Sequence, residues 1–338
     1  KILESQVNVE PVNPKFEMVE GKVKEFEIPK SGMKIDHDAT IANLTSQFIE
    51  LGNSVIPISV IEVPPLISSN EFSTYGIKEI VAIGKTDLGN SPKNRRRNIA
   101  VGVAKMNGTL IAPGEEFSAL KTLGEVDGEH GFLEELVIKE NQTKPEFGGG
   151  LCQVSTTVFR TTMNAGLPVT SRRNHSYRVS YYEPPVGKDA TIYDPAPDYR
   201  FVNDTGHHLL IQGRVEGNTV VFEFWGTKDA RTQVQTDPVL YNVLPPPPKK
   251  MVITDTLPPG KVKCTERAHA GGTADFTYTI TYPNGEIKEQ KFHSVYKPWG
   301  EVCARGAQPG ETLGLVGATP TTSSTPAGNP EVPSFPTN

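Results

Sequence analysis

The sequence predicts an α+β fold: a mixed α/β catalytic domain whose cysteine-bearing helix packs on an antiparallel sheet, flanked by a small α+β module and a small all-β module. Three observations point there. Glycine (31) and proline (29) are both abundant, which favours strands, turns and linkers over a helical bundle. The run from Cys152 to Gly166 carries helical spacing, Val154 with Val158 and Phe159 with Met163, and stops at Gly166 and Pro168. Apolar and polar residues alternate elsewhere, most cleanly in Thr277-Tyr278-Thr279-Ile280-Thr281-Tyr282.

At 338 residues the chain has room for two or three domains of about 100–200 residues each. Residues 1–70 read as the α+β module. Gly21 to Pro29 is a strand ended by proline, and Lys30-Ser31-Gly32 is a turn. Asp38 is the expected cap of a helix from Ala39, with Leu44, Phe48 and Leu51 on its apolar face. Ser54 to Val63 is a further strand, and Pro64-Pro65 and Ser68-Ser69-Asn70 close the module.

Residues 71–236 form the central domain. Asn98 to Lys105 fits either a helix or a strand. Gly108 to Ile111 and Glu116 to Ser118 read as short strands around a Pro-Gly turn. After the Cys152 helix, His175, Tyr177, Val179 and Tyr181 share one face of an expected strand. Asp189 to Tyr193 and Arg200 to Asn203 are the next two. His208 to Val215 and Thr219 to Trp225 flank Glu216-Gly217-Asn218, a hairpin signal.

Residues 237–250 hold a four-proline run, an extended linker. Residues 251–306 form the all-β module, with Pro283-Asn284-Gly285 as a hairpin turn. Residues 307–338, rich in Thr, Ser, Pro and Gly, read as a flexible tail.

The net charge of −5 argues against a nucleic-acid partner, and no apolar run nears the ~18 residues that span a membrane. Position 1 is a lysine, so a signal peptide or membrane anchor is expected upstream, and membrane attachment would run only through that segment. No C-x-x-C pair, close His/Cys cluster or phosphate-binding glycine motif occurs, so no metal or cofactor is expected.

Chemistry concentrates at Cys152, in Gly148-Gly149-Gly150-Leu151-Cys152-Gln153-Val154-Ser155-Thr156-Thr157. A thiol at a helix start is held by backbone N–H groups and the positive dipole end, which favour the thiolate. Cys264 and Cys303, in one module, read as a disulfide with Cα atoms about 4.4–6.8 Å apart, or else as two buried thiols. That leaves Cys152 unpaired. His175 is the candidate base and Asp189 the candidate acid that steadies its ring, with Asp194 and Asp198 as competitors. The order Cys helix, His, Asp is that of papain-like and transglutaminase-like thiol enzymes. A strand histidine satisfied by a backbone carbonyl is the plainer alternative.

Gly149 and Gly150 offer a close backbone approach for substrate, or merely a sharp turn. Gln153 is a candidate donor of its backbone N–H to an oxyanion. Arg172 and Arg173 are candidate anchors for a substrate carboxylate, and Arg95-Arg96-Arg97 is by default a solvated face. Ser155, Thr156 and Thr157 are expected to bond within the helix. His130, His207 and His208 are expected at the surface or in structural roles.

These residues resemble the VanW-domain family of bacterial cell-envelope proteins. The likeness runs through Arg97-Asn98-Ile99, Asn107 to Ser118, Gly148 to Thr157, His175-Ser176-Tyr177, Gly187 to Thr191 and Asp198 to Asn203, in order. Residues 1–70 resemble, more faintly, the peptidoglycan-binding module that often precedes that domain. The resemblance implies an exported, cysteine-dependent L,D-transpeptidase acting on peptidoglycan stem peptides, with Cys152 as nucleophile and 3–3 cross-links as product. The alternatives are a non-catalytic wall-binding protein and a thiol amidase or carboxypeptidase on the same peptides.

Overall fold

A computed structural model describes residues 3–12, 14–19, 22–27, 30–52, 55–65, 75–139 and 142–315. The expected module end at Ser68-Ser69-Asn70 and most of the expected tail lie outside them. The first elements are α1 (Glu4–Val7), β1 (Lys15–Val19), β2 (Lys22–Glu27), β3 (Gly32–Ile35), α2 (His37–Asn43) and β4 (Val60–Val63). Then come β5 (Glu79–Asp87), α3 (Lys93–Met106), β6 (Thr109–Ile111), β7 (Glu116–Ser118), α4 (Ala119–Leu123), β8 (Glu134–Lys139), β9 (Gln142–Phe147) and α5 (Leu151–Asn164). Strands follow: β10 (Val169–Ser171), β11 (Arg200–Val202), β12 (Leu209–Glu216), β13 (Thr219–Gly226), β14 (Thr232–Gln235) and β15 (Val239–Leu244). The last are β16 (Lys250–Pro259), β17 (Val262–Glu266), β18 (Gly271–Thr281), β19 (Ile287–Tyr296), β20 (Val302–Gly306) and β21 (Gly314–Leu315). The class is α+β, mostly antiparallel sheet with few helices.

The chain divides into two compact units, Lys1–Val243 with Gly272–Tyr296, and Leu244–Gly271 with Lys297–Asn338. The first is built on an antiparallel sheet ordered β5-β13-β12-β6. Period-two alternation lets this sheet bury both faces. Leu209 and Ile211 point into the main core with Ile99, Val103, Val154 and Val158, while Leu210, between them, packs with Phe16, Tyr75 and Leu110 on the other side. α3 settles the open choice over Asn98–Lys105: it is a helix, burying Ile99, Gly102, Val103 and Met106 at helical spacing. α5 lies against β5, β13 and α3.

The N-terminal elements differ in detail from expectation. Asp36, not Asp38, caps α2, its Oδ1 accepting from Ala39 N at 2.9 Å. Leu44, Phe48 and Leu51, the expected buried face, stay exposed. The expected strand over Ser54–Val63 shortens to β4, paired with β3.

Two expected strands are not formed. Residues 172–179 and 189–193 form no strand, and the first bends at Ser176-Tyr177. Thr191 N donates to Arg173 O at 2.8 Å between them, and side chains of α5 and Arg172 hold the segments in place.

The division near the C-terminus also differs. The β18–β19 hairpin, expected inside the 251–306 module, belongs to the first unit. β18 joins β14, β15 and β19, and Phe276, Tyr278, Ile280 and Phe292 enter the main core. Phe292 meets Phe159 of α5 edge-on at 5.4 Å, and Tyr278 Oη donates to Leu167 O at 3.1 Å. Part of the expected linker, Val239–Leu244, is β15.

The second unit is a sheet ordered β17-β20-β16-β21, with β16 and β20 parallel and the other pairs antiparallel. Cys264 and Cys303 face each other across β17 and β20 and are disulfide-bonded, their Cα atoms 3.8 Å apart, closer than the expected range. No helix among the described residues is long and apolar enough to cross a membrane.

The bond joins positions 39 residues apart. Loop-closure entropy for such a span is worth about 4 kcal/mol. Replacing Cys264 and Cys303 by serine is expected to destabilise the second unit by about 3–4 kcal/mol in denaturant unfolding, with Cys152 reactivity retained. An unchanged unfolding midpoint would refute this role.

Candidate active site: Cys152, His175 and Asp189

The glycine turn delivers the chain from β9 into α5. Gly150 is the N-cap at φ +113°, a backbone state that favours glycine, and a Cβ there would lie 2.9 Å from Arg95 Cγ. Cys152 is the second residue of α5. Leu151 N donates to Gly148 O and Gln153 N to Gly150 O, at 3.0 and 2.9 Å. The Cys152 amide therefore sits in the first turn of α5, where helix N–H groups lack the usual intrahelical acceptors.

α5 has two working faces. Gln153, Thr157 and Thr161 turn to β5. Gln153 Nε2 donates to Thr86 Oγ1 and Asp87 O at 3.1 and 2.8 Å, and its Oε1 accepts from Arg95 Nη2 at 2.8 Å. Gly84 of β5 makes this approach feasible, since a Cβ there would fall 2.2 Å from Thr161 Oγ1. Cys152, Ser155, Thr156, Phe159 and Arg160 recur at i, i+3, i+4, i+7 and i+8, and this face holds the strandless loop. Ser155 Oγ donates to Ala190 O at 2.6 Å, while Ala190 N donates to Thr156 Oγ1 at 3.0 Å. Arg160 grips Lys188 O at 2.9 Å and Tyr182 O at 2.6 Å. With Ala190 clamped at both backbone atoms, Asp189 and Thr191 are fixed on either side of it.

Cys152 Sγ lies 3.3 Å from Thr191 Oγ1 and 3.5 Å from Ile192 O. The His175 imidazole lies close enough to the Cys152 sulfur for each to shift the other's protonation. His175 Nδ1 is 2.6 Å from Asp189 Oδ2, and its backbone N–H donates to the same oxygen at 2.8 Å. With Nδ1 so occupied, Nε2 is the nitrogen left for the sulfur. The ring also leans on Tyr182, centroids 5.4 Å apart. On the far side of Asp189, Oδ1 accepts from Tyr296 Oη at 2.5 Å and from Arg172 Nη2 at 3.2 Å.

The electrostatics follow from these contacts. Burial pushes the Cys152 thiol up, but the hydrogen bond and positive charge of His175, with help from Thr191 and Ile192, bring it down to about 7. Burial works against a charged His175. The hydrogen bond that His175 donates to Asp189, with the bond and charge of Cys152, outweighs it and raises His175 to about 10. Asp189 is raised by burial and lowered more strongly by His175 and Arg172, so its carboxyl stays well below the usual carboxylate range. As pH rises through about 7 the site passes into a thiolate–imidazolium pair backed by an ionised carboxylate. The two outer groups titrate as a pair.

Cys152, His175 and Asp189 therefore converge, and several other expected site residues do not reach the sulfur. Gln153 is buried with its amide spent on Gly150, so it is a packing residue and not the oxyanion donor. Gly149 and Gly150 pack inward: a Cβ on Gly149 would meet Glu135 Cβ at 2.9 Å. Arg172, its side chain 3% exposed, holds Asp189 and is closed to substrate. Arg173 is exposed. Arg95 binds Gln153 and lies over the exposed Tyr181 ring at 4.6 Å, and Arg96 binds Gly89 O at 2.6 Å, so two of the three arginines are structural. Asp194 is exposed, and Asp198 accepts from Leu120 N and Ser118 Oγ at 3.0 and 2.6 Å at the start of α4.

His207 is exposed and His208 packs on Tyr75 at 4.3 Å. His130 gathers with Glu125 and Asp127 at an exposed turn, where its Nδ1 is 2.8 Å from Asp127 Oδ1. Sequence reasoning missed Thr191, Tyr182, Ser294 and Tyr296. Ser155 and Thr156 carried a signal, being polar residues at i+3 and i+4 from the nucleophile. Tyr296, 107 residues from Asp189, carried none.

The pair sets a pH profile. Below about pH 7 Cys152 holds its proton, and above it the thiolate forms while His175, raised to about 10, remains cationic. Alkylation of Cys152 by a neutral reagent is expected to rise through a midpoint near 7. In His175→Ala only burial acts strongly, so the midpoint moves above the ordinary thiol value of about 8.5 and the rate at pH 7 falls more than about tenfold. An unmoved midpoint would remove His175 as the partner.

Residues 94–225 match the sequence profile described as "VanW like protein". The chain is 26% identical over 245 residues to the "Uncharacterized protein YoaR" of Bacillus subtilis (strain 168), covering 70% of this chain and 76% of that protein. It is 29% identical over 140 residues to the "Vancomycin B-type resistance protein VanW" of Enterococcus faecalis (strain ATCC 700802 / V583), covering 40% of this chain and half the length of that relative. Two solved structures, "IgA1 Protease G5 domain structure" and "Crystal structure of HP0197-G5", align with TM-scores of 0.16 and 0.12 at 10% and 17% identity. They cover 25% and 22% of this chain and 99% and 97% of their own, and a likeness at these scores carries no argument. The glycine turn, the Cys152 helix, His175 and Asp189 all fall within residues 94–225, the span that is VanW-like.

Proposed function

We propose that the protein is an exported thiol acyltransferase of peptidoglycan, an L,D-transpeptidase that works through a Cys152 thioester. The observation that carries this reading is the Cys152–His175–Asp189 relay at the start of α5. A cysteine that only packs beneath a glycine turn needs no cationic imidazole and no buried carboxylate, so the relay speaks against a purely wall-binding role. The VanW-like span supports a cell-envelope setting, and the Cys264–Cys303 disulfide supports an oxidising compartment.

In the proposed reaction the thiolate attacks the amide carbonyl carbon after the third stem residue of a donor peptide. The Cys152 N–H, in the first turn of α5, is suited to the developing oxyanion. As the C–N bond breaks, His175 Nε2 gives its proton to the departing amine of the terminal D-residue, leaving a thioester. The side-chain amine of an acceptor stem then attacks the thioester carbon and loses a proton to His175. The new amide is the 3–3 cross-link, and the thiolate is regenerated. Water in place of the amine gives an L,D-carboxypeptidase. Asp189 holds the ring in the required tautomer throughout. Arg173, exposed two residues before His175, is the cation still available for a stem carboxylate.

The test uses the full chain with isolated stem peptides and mass spectrometry. The expected products are 3–3 dimers and a Cys152 adduct equal to the donor minus its terminal residue, both lost to background in Cys152→Ala. Undiminished dimers in that variant would sink the nucleophile assignment. Hydrolysed donor without dimers would reassign the acceptor to water.

A further inference from the structure

We propose that Tyr296, on β19, is a positioning residue of this site, and that the catalytic unit therefore extends to a hairpin beyond the family-matched span. The proposal rests on the reading of Cys152 as a nucleophile. It names what keeps the third member of the relay in place, and it does not depend on the identity of the acyl donor.

Asp189 is 4% exposed, and each of its oxygens has a distinct task. Oδ2 takes the two donors of His175. Oδ1 would be free to rotate if nothing held it, and it is held by Tyr296 Oη at 2.5 Å and Arg172 Nη2 at 3.2 Å. Arg172 is itself fixed from the same strand. Its Nη1 donates to Ser294 Oγ at 2.8 Å, and its guanidinium lies over the Phe292 ring at 5.8 Å and the Phe159 ring at 5.4 Å. Ser294 and Tyr296 sit two apart on one face of β19, and both are buried. That face is polar where the strand meets Asp189 and Arg172, and apolar at Phe292 where it meets α5. A hairpin recruited only for packing would not need two buried hydroxyls aimed at a carboxylate–guanidinium pair, because each costs desolvation unless it is bonded.

The matched span ends at residue 225, whereas these contacts come from residues 292–296. The chain brings them back through β18, whose Phe276, Tyr278 and Ile280 lie in the same core as α5. Loss of the Tyr296 hydroxyl leaves Asp189 Oδ1 with Arg172 alone and lets the carboxylate turn away from His175 Nδ1. The imidazolium then loses its fixed support, and the thiolate with it.

The test is a double-mutant cycle in the full chain, read as the second-order rate of Cys152 alkylation at pH 7. This readout needs no stem peptide, so failure of the transpeptidase reading and failure of this proposal are separable: missing dimers overturn only the former. Tyr296→Phe is expected to slow alkylation roughly three- to tenfold, the scale of one ordinary hydrogen bond. In an Asp189→Asn background the same change is expected to alter the rate less than about twofold, because its route of action is already gone. A rate for Tyr296→Phe equal to the unaltered protein, or an equal loss in both backgrounds, overturns the proposal. If Tyr296→Phe does not fold, Ser294→Ala replaces it in the same cycle, with about a twofold slowing that vanishes beside Asp189→Asn expected and an undiminished loss overturning it.

Discussion

The Asp189 carboxylate has to stay charged inside the protein, and that requirement organises the site. An isolated buried carboxylate is expensive, and it persists only where enough donors replace its water. Asp189 receives four: two from His175, one from Tyr296 and one from Arg172. They come from the loop after β10 and from β19, segments far apart in sequence. The charge is thus a point of closure for the fold as well as a part of the chemistry. Without the carboxylate, Arg172 would be a buried cation with only neutral partners, and His175 would lose what holds it cationic.

The second constraint is that α5 must serve two surfaces at once. A helix of this composition has poor intrinsic propensity, with threonine at 156, 157, 161 and 162. Those hydroxyls are buried and all find acceptors. Thr157, Thr161 and Thr162 donate back to carbonyls four residues earlier, at 2.7, 2.8 and 2.9 Å. Small hydroxyl side chains let the helix lie close to Gly84 of β5 on one side, and on the other let Ser155 and Thr156 clamp Ala190. The threonine-rich stretch that looks ill-suited to a helix is what allows the nucleophile's helix to set the loop that carries Asp189 and Thr191.

The nucleophile was legible because its signal is local: three glycines, a cysteine, then helical spacing. His175 and Asp189 were legible by order along the chain, although the strands assigned to them do not form. Alternating side chains suggest strands there, but alternation alone supplies no pairing neighbour, and tethers from α5 hold these segments instead. Gln153 and Arg172 were misplaced for a related reason. Adjacency in sequence is not adjacency on a surface: one step along a helix turns a side chain by about 100°, so Gln153 faces β5 while Cys152 faces the loop. Arg172 lies three residues from His175, but the internal charge of Asp189 draws it inward. The β18–β19 hairpin was visible as a hairpin. Alternation reveals that one face is apolar and not which layer it covers, so its membership of the first unit, and the arrival of Tyr296 at Asp189, could not be read.

The inner residues leave little room for substrate choice. Gln153, Arg172, Arg160 and Tyr182 are all committed to the scaffold, and the relay itself treats an amine and a water alike, since either gives its proton to the same His175 nitrogen. In the proposed reaction, discrimination between transfer and hydrolysis would then come from what reaches the thioester and how long it stays. Those properties belong to the rim, where Arg173, Tyr181 and Tyr193 are exposed, Tyr181 under Arg95 and Tyr193 with its hydroxyl 3.4 Å from Glu146 of β9.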